Sequence, residues 1–178
     1  MFSKVLVPLD GSELANAVLP YVEELGKQCA TEAILLRVVP LPRDAGIAPF
    51  FQAPMGLPGS SEDEVVDRHG VLRGQEIESM RVEVERSLAP ARERLSNAGL
   101  SVSVVVLFGR PAERIIEHAT KEQVDLIAMS THGRSGFSRW MLGSVADKVL
   151  RGVTLPVLVV RPPGADRYGR LPSVEPQP

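Results

Sequence analysis

Cysteine, aromatic residues and surplus charge are all scarce in this 178-residue chain, and each shortage excludes something. The single cysteine, Cys29, cannot form an intramolecular disulfide, so a reducing compartment, the cytoplasm, is the expected setting. Twenty Lys and Arg against 22 Asp and Glu leave a formal charge of −2. That balance excludes bulk electrostatic attraction to nucleic acid or to an anionic membrane. No apolar run approaches the ~20 residues of a membrane-spanning helix. The N-terminal run Val5–Leu9 is too short for a signal-peptide core and meets an acid, Asp10. Aromatics amount to one Trp, two Tyr and five Phe. What remains is ordinary for a globular chain, with 44% hydrophobic and 24% charged residues, and that excludes wholesale disorder. Proline alone is in excess, at 15 residues, or about 8% against a typical ~5%.

Five short runs, Lys4–Leu9, Ala33–Val39, Val102–Phe108, Asp125–Met129 and Pro156–Val160, are rich in Val, Ile and Leu and almost continuously apolar. Continuous rather than alternating hydrophobicity marks strands covered on both faces, as in a parallel sheet. Helical patterns fill the intervals at about Glu13–Cys29, Glu76–Asn97, Pro111–Glu122 and Ser144–Arg151. In the second, Ile77, Met80, Val84, Leu88 and Leu95 fall near one face, and Pro90 is predicted to kink or split it. Pro20 raises the same expectation in the first helix, whereas Pro111 suits a helix start, where no N–H is required. Strand and helix alternate throughout, which predicts an α/β fold with right-handed crossovers. In such folds ligands sit beyond the carboxyl ends of the strands, where strand order reverses.

Two stretches break the alternation. Residues 40–74 hold five prolines and five glycines, a linker-like insertion that is either functional or disordered. The tail 162–178 holds five more prolines without apolar periodicity and is expected to be disordered. The expected organisation is one domain over residues 1–161, with that insertion at about 40–74.

The segment Met129-Ser130-Thr131-His132-Gly133-Arg134 runs from the fourth strand into a small-residue loop, and Gly143-Ser144 opens a helix. Ser144 and Asp147 have capping-box spacing. The first turn of that helix offers free N–H groups and a positive dipole end, which suit an anion. Gly133 and Gly143 let backbone amides approach a phosphate, and Arg134 and Arg139 can add charge. The plainer alternative is that the glycines only turn the chain and Ser144 only caps the helix. No Walker loop and no G-x-G-x-x-G fingerprint is present.

This loop resembles the signature of the universal stress protein family, G-x2-G-x9-G-[ST]. Gly133 is followed by nine residues and then Gly143-Ser144, while Ser130 stands where the first glycine belongs. Serine is small and still offers a hydroxyl and a backbone amide. Val5–Ser12 resembles the family's first strand with its acidic turn, and Leu155–Arg161 its last strand. The resemblance implies an open three-layer α/β sandwich with a five-stranded parallel sheet of order 3-2-1-4-5, the adenine nucleotide alpha-hydrolase-like fold. It also implies ATP, accompanied by Mg²⁺ held largely by phosphates and waters. By position, Pro8, Leu9 and Asp10 would lie beside adenine and ribose, and Val38 against adenine. Met129, Ser130, Gly133 and Arg134 would line ribose and phosphates, and Gly143, Ser144 and Val145 the phosphate tail. With few aromatics, such a ligand would be held by aliphatic side chains and backbone. The family usually dimerises through its last strand, here Pro156–Val160.

Asp10 can accept ribose hydroxyls, or it can cap the first helix, since Asp10 and Glu13 have capping-box spacing. His132 sits in the loop as a backbone-bonding or phosphate-side histidine, and His69 and His118 are expected at the surface. Trp140 is expected to pack against the sheet or a partner. No Cys/His spacing marks a metal site. No G-x-S-x-G elbow and no residue placed as a catalytic base is evident, so hydrolysis of ATP is at most slow. Two functional readings follow: an ATP-binding regulatory protein, and a nucleotide-free dimeric interaction module in the stress response. A nucleotide ligase of related fold is disfavoured, because the turn Leu9-Asp10-Gly11-Ser12 lacks that class's S-G-G-x-D-S.

Overall fold

The computed structural model describes residues 2–28, 31–40, 77–131 and 142–161. Five strands form one parallel sheet: β1 (Lys4–Pro8), β2 (Glu32–Val39), β3 (Ser101–Phe108), β4 (Leu126–Ser130) and β5 (Val157–Val160). Their order is β3-β2-β1-β4-β5, the one expected, and every pairing is parallel. Helix α1 is Leu19–Gln28, α2 covers 77–87, α3 is Ala89–Asn97, α4 is Pro111–Lys121 and α5 is Ser144–Gly152.

Because successive side chains of a strand face opposite ways, the sheet divides the apolar residues into two cores. Val5 and Val7 of β1 join Ala33, Leu35, Val18, Val22 and Leu95 in a core under α1 and α3. Leu6 between them joins Ile34, Leu36, Ile127, Ile115 and Val149 in a second core under α4 and α5. Each buried Leu, Ile or Val removes apolar surface worth about 1.5–3 kcal/mol from water. The carboxylate of Asp125 pins the amino end of β1, accepting from Ser3 Oγ (2.6 Å) and from the backbone N–H groups of Ser3 and Lys4 (both 2.9 Å). On the outer side, Arg81 of α2 donates to the Val106 carbonyl (3.4 Å) and lies 5.7 Å from the Phe108 ring centroid, over edge strand β3. An Arg94–Glu23 ion pair joins α3 to α1.

The prolines act where the sequence put them, with local consequences. Instead of one helix from Glu13, a 3-10 turn (Ala15–Val18) precedes α1, and Pro20 becomes the second residue of that helix. Its ring would clash with a carbonyl one turn back, so the α-helix starts where that turn is already tight. Pro90 splits the second helical pattern: α2 stops before Leu88, and Pro90 occupies the first turn of α3. The split disrupts the single apolar face that was expected. Leu88 and Leu95 are buried, but Met80 is 45% exposed, because residues before the break no longer share a helix phase with those after it. His118, expected at the surface, is 8% exposed; it lies on the inner side of α4 with Ile115 and Ala119. Expectations about residues 41–74 and 162–178, and about Cys29, His69, His132, Arg139 and Trp140, lie outside the described residues. Among the described residues no helix is long and apolar enough to cross a membrane.

Candidate functional site

Strand order reverses between β1 and β4, and the carboxyl ends of β1, β2 and β4 open there into a cleft of about 580 Å³. All the site residues expected from the sequence that are described line it: Pro8, Leu9 and Asp10 after β1, Val38 on β2, Met129 and Ser130 on β4, and Gly143, Ser144 and Val145 at the start of α5. Gly133 and Arg134 lie outside the described residues. The walls are mainly aliphatic, with Leu36, Ile115 and Ala146 added to Leu9, Val38 and Met129.

The cleft has two polar ends. At one, Asp10 begins a turn in which its Oδ1 accepts from the Ser12 N–H (2.9 Å) and Ser12 Oγ (2.6 Å). Ser12 Oγ in turn accepts from the Ala15 N–H (3.1 Å), so serine, not Asp10, tethers the start of the 3-10 turn. The alternative role for Asp10, a capping box with Glu13, gives way to this local Asp-Ser arrangement, which short polar side chains readily adopt. Gly11 between them takes φ +79, a left-handed conformation that glycine adopts without a Cβ penalty.

At the other end, Gly143 rather than Ser144 is the N-cap of α5 (φ −56, ψ 149), and no side chain caps it. The Ser144–Asp147 capping box suggested by the spacing does not form, because Ser144 is already helical. Asp147 instead pairs with Arg151 (3.0 and 3.1 Å), and its N–H closes the first helical hydrogen bond onto the Gly143 carbonyl (2.9 Å). The first-turn N–H groups at Ser144, Val145 and Ala146 precede that bond and have no intrahelical acceptor, because helix geometry provides none. They stand at the positive end of the dipole, on the lining of the cleft. A Cβ added at Gly143 would meet nothing within 4 Å among the described residues.

Sequence reasoning missed two polar residues here. Thr131, 4% exposed, follows β4 on the cleft lining and ties β4 to β5 through its N–H on the Val160 carbonyl (2.9 Å). Its position directly after a parallel strand was the available signal. Arg37 stands in the otherwise apolar run of β2 and donates through Nη1 to the Leu9 carbonyl (3.3 Å). Burial lowers its pKa while Asp10 opposes that shift, so it stays a cation at neutral pH. Among the described residues no group of three or more His, Cys, Asp or Glu can hold a metal.

A parallel sheet of this order with helices on both sides is the adenine nucleotide alpha-hydrolase-like fold. The sequence narrows the class further, since the family model described as "Universal stress protein family" matches residues 1–161. The chain belongs to the universal stress protein family. Universal stress protein YxiE of Bacillus subtilis is 32% identical over 162 residues, 90% of this chain and 100% of its own length. Universal stress protein MJ0577 of Methanocaldococcus jannaschii is 30% identical over 161 residues, 90% of this chain and 96% of its own. The solved structure of MJ0577 superposes with a TM-score of 0.68 at 26% identity, covering 91% of this chain and 97% of that one. More distant structures share the fold alone. One universal stress protein was solved in complex with cAMP (TM-score 0.55, 21% identity, 90% of this chain and 97% of that one). Another, from Archaeoglobus fulgidus, was solved in complex with dAMP (TM-score 0.55, 16% identity, 89% and 97%).

Proposed function

We propose that the cleft binds an adenine nucleotide, ATP with Mg²⁺, and that the protein is a nucleotide-dependent regulatory module of the stress response. The observation that carries this reading is the opposition, across one aliphatic cleft, of the uncapped amino end of α5 and the Asp10 turn. The α5 end, with Gly143, Ser144 and Val145, suits a phosphate tail. Asp10 suits ribose hydroxyls, Pro8, Leu9 and Val38 the base, and Met129 and Ser130 the span between. By the family motif Gly133, with Arg134 beside it in sequence, would add to the lining of ribose and phosphates. Complexes of two fold relatives with cAMP and dAMP agree with an adenine ligand. Asp10 is the only carboxylate among the described cleft residues, so Mg²⁺ would be held mainly by phosphate oxygens and water. Turnover of ATP in this reading is at most slow.

In this reading residues 1–161 form one domain with an insertion at about 40–74. The protein pairs with its own copy along β5 at the Pro156–Val160 edge. The half-buried Val157, Leu158 and Val159 on that edge favour the second reading as well, a dimeric interaction module without nucleotide. Chromatography of small molecules released by heating the purified protein, together with a thermal shift in millimolar Mg-ATP, separates the two. Adenine nucleotide in the extract or a shift of several degrees is expected. A nucleotide-free protein without a shift favours the interaction module.

A further inference from the structure

Arg37 is the one cation among the described residues that line the cleft, and it is built into the acidic end rather than the phosphate end. Pairing of β1 with β2 sets Val7 against Leu35 and Pro8 against Leu36, so the next residue of β2 reaches the turn that follows β1. There its Nη1 donates to the Leu9 carbonyl at 3.3 Å, immediately before Asp10. Its Nε is buried without a hydrogen-bond partner. The guanidinium packs close against Gly11: a Cβ built on that glycine would stand 2.6 Å from Nη1, 3.0 Å from Nη2 and 3.1 Å from Cζ. Gly11 thus satisfies two demands at once, a left-handed φ of +79 and the close approach of a cation. Burying part of an arginine with an unmatched Nε costs free energy, and aliphatic residues fill the neighbouring β2 positions Leu36 and Val38 without that cost.

We infer that Arg37 is the positioning residue of the ribose end: from β2 it fixes the Leu9 carbonyl and the Asp10-Gly11 turn, so that Asp10 meets the ribose hydroxyls preorganised. Ser12 holds the Asp10 carboxylate from the following residues, and Arg37 holds the turn from the neighbouring strand. A turn held on both sides loses little freedom when a ligand arrives, which preserves affinity for the groups that contact it. The inference rests on the adenine-nucleotide reading and adds a specificity determinant, recognition of the ribose hydroxyls, to it.

The test compares ATP with 2′,3′-dideoxy-ATP by calorimetry on the full chain with Mg²⁺, for wild type, Arg37→Gln and Arg37→Lys. Arg37→Gln is expected to weaken ATP about tenfold or more, the scale of one hydrogen bond to a charged group. Dideoxy-ATP should bind the variant and the wild type alike, so the preference for ribose collapses. Arg37→Lys keeps the charge without the planar fork and should restore part of that preference. An equal loss for both nucleotides, or no loss for either, with wild type binding ATP normally, overturns this inference alone. Wild-type protein that binds neither nucleotide overturns the cleft reading, and this inference with it.

Discussion

Gly143 offers a substitution whose structural and ligand effects separate. Its φ of −56 and ψ of 149 are open to any L residue, and an added Cβ meets nothing within 4 Å among the described residues. Valine there gives up glycine's N-cap preference, a cost of up to about 1 kcal/mol. It also stiffens the unfolded chain, which returns roughly 0.4–1 kcal/mol. The two terms largely cancel, so the ligand-free protein changes by no more than about 1 kcal/mol in either direction, a Tm shift of at most about 2–4 °C for a chain of this size. The ligand effect is larger. Nucleotide at a hundredfold excess over its Kd stabilises the native state by about 2.7 kcal/mol, or roughly 5–10 °C. In Gly143→Val the branched side chain fills the space in front of the α5 amides, so that shift should fall below about 1 °C. Differential scanning fluorimetry with and without Mg-ATP, supported by calorimetry, reads both quantities. A variant that keeps the full ATP shift would refute the assignment of the α5 end as the phosphate seat. An apo Tm lowered by more than about 5 °C would refute the claim that the position is open.

Three other outcomes follow from the packing. Gly26→Ala adds a good helix former inside α1, worth about 1 kcal/mol, but its Cβ would stand 2.3 Å from Leu100 Cδ1 and 2.4 Å from Cγ. Overpacking of about 1–3 kcal/mol outweighs the gain, so a lower urea midpoint with an unchanged m value is expected. His118 is buried with Nε2 unpartnered, and its pKa is lowered by burial, with Glu122 opposing and Lys121 reinforcing the shift. The unfolded chain therefore binds a proton first: stability falls as pH drops below about 6.5 until the lowered native pKa is passed, and His118→Gln should flatten that part of a pH–Tm profile. Asp125 has its pKa lowered by the Ser3 hydroxyl and then by the Lys4 and Ser3 amides, so its contribution is complete above the ordinary aspartate range and is lost as pH falls through the lowered value. Asp125→Asn should be less stable at pH 7, and its deficit should close in acid; a deficit independent of pH would contradict the ionised pin.

The five strands were legible because their apolar runs are continuous, the direct mark of burial on both faces, and their ends shift by only a residue or so. The helical segments were legible, with Pro90 marked as a kink or split, but their phase was not. Nothing local to Met80 says that Pro90, ten residues on, will separate it from the face that buries Leu95. Capping was misread at Ser144 for a related reason: spacing names residues able to cap, but the backbone decides which of them lies at the boundary. The cleft residues came from resemblance to a family motif, supported by the rule that strand ends carry ligands. Arg37 escaped because a lone cation in an apolar strand has no periodic signal. Its role depends on the β1–β2 register, a long-range property that no local window contains.

The division of the apolar residues by the sheet bears on how the molecule opens. The cleft takes Leu9 and Ala15 from the core beneath α1, and Met129, Ile115 and Ala146 from the core beneath α4 and α5. In an empty protein the two helical layers can loosen as separate cooperative units, each releasing its own amides to exchange with solvent. An occupant that touches both would be expelled by the opening of either, so its binding energy is added to the cost of both events. The cleft then works as a rivet through the sheet, coupling the exchange protection of α1 to that of α5 although each packs on its own side.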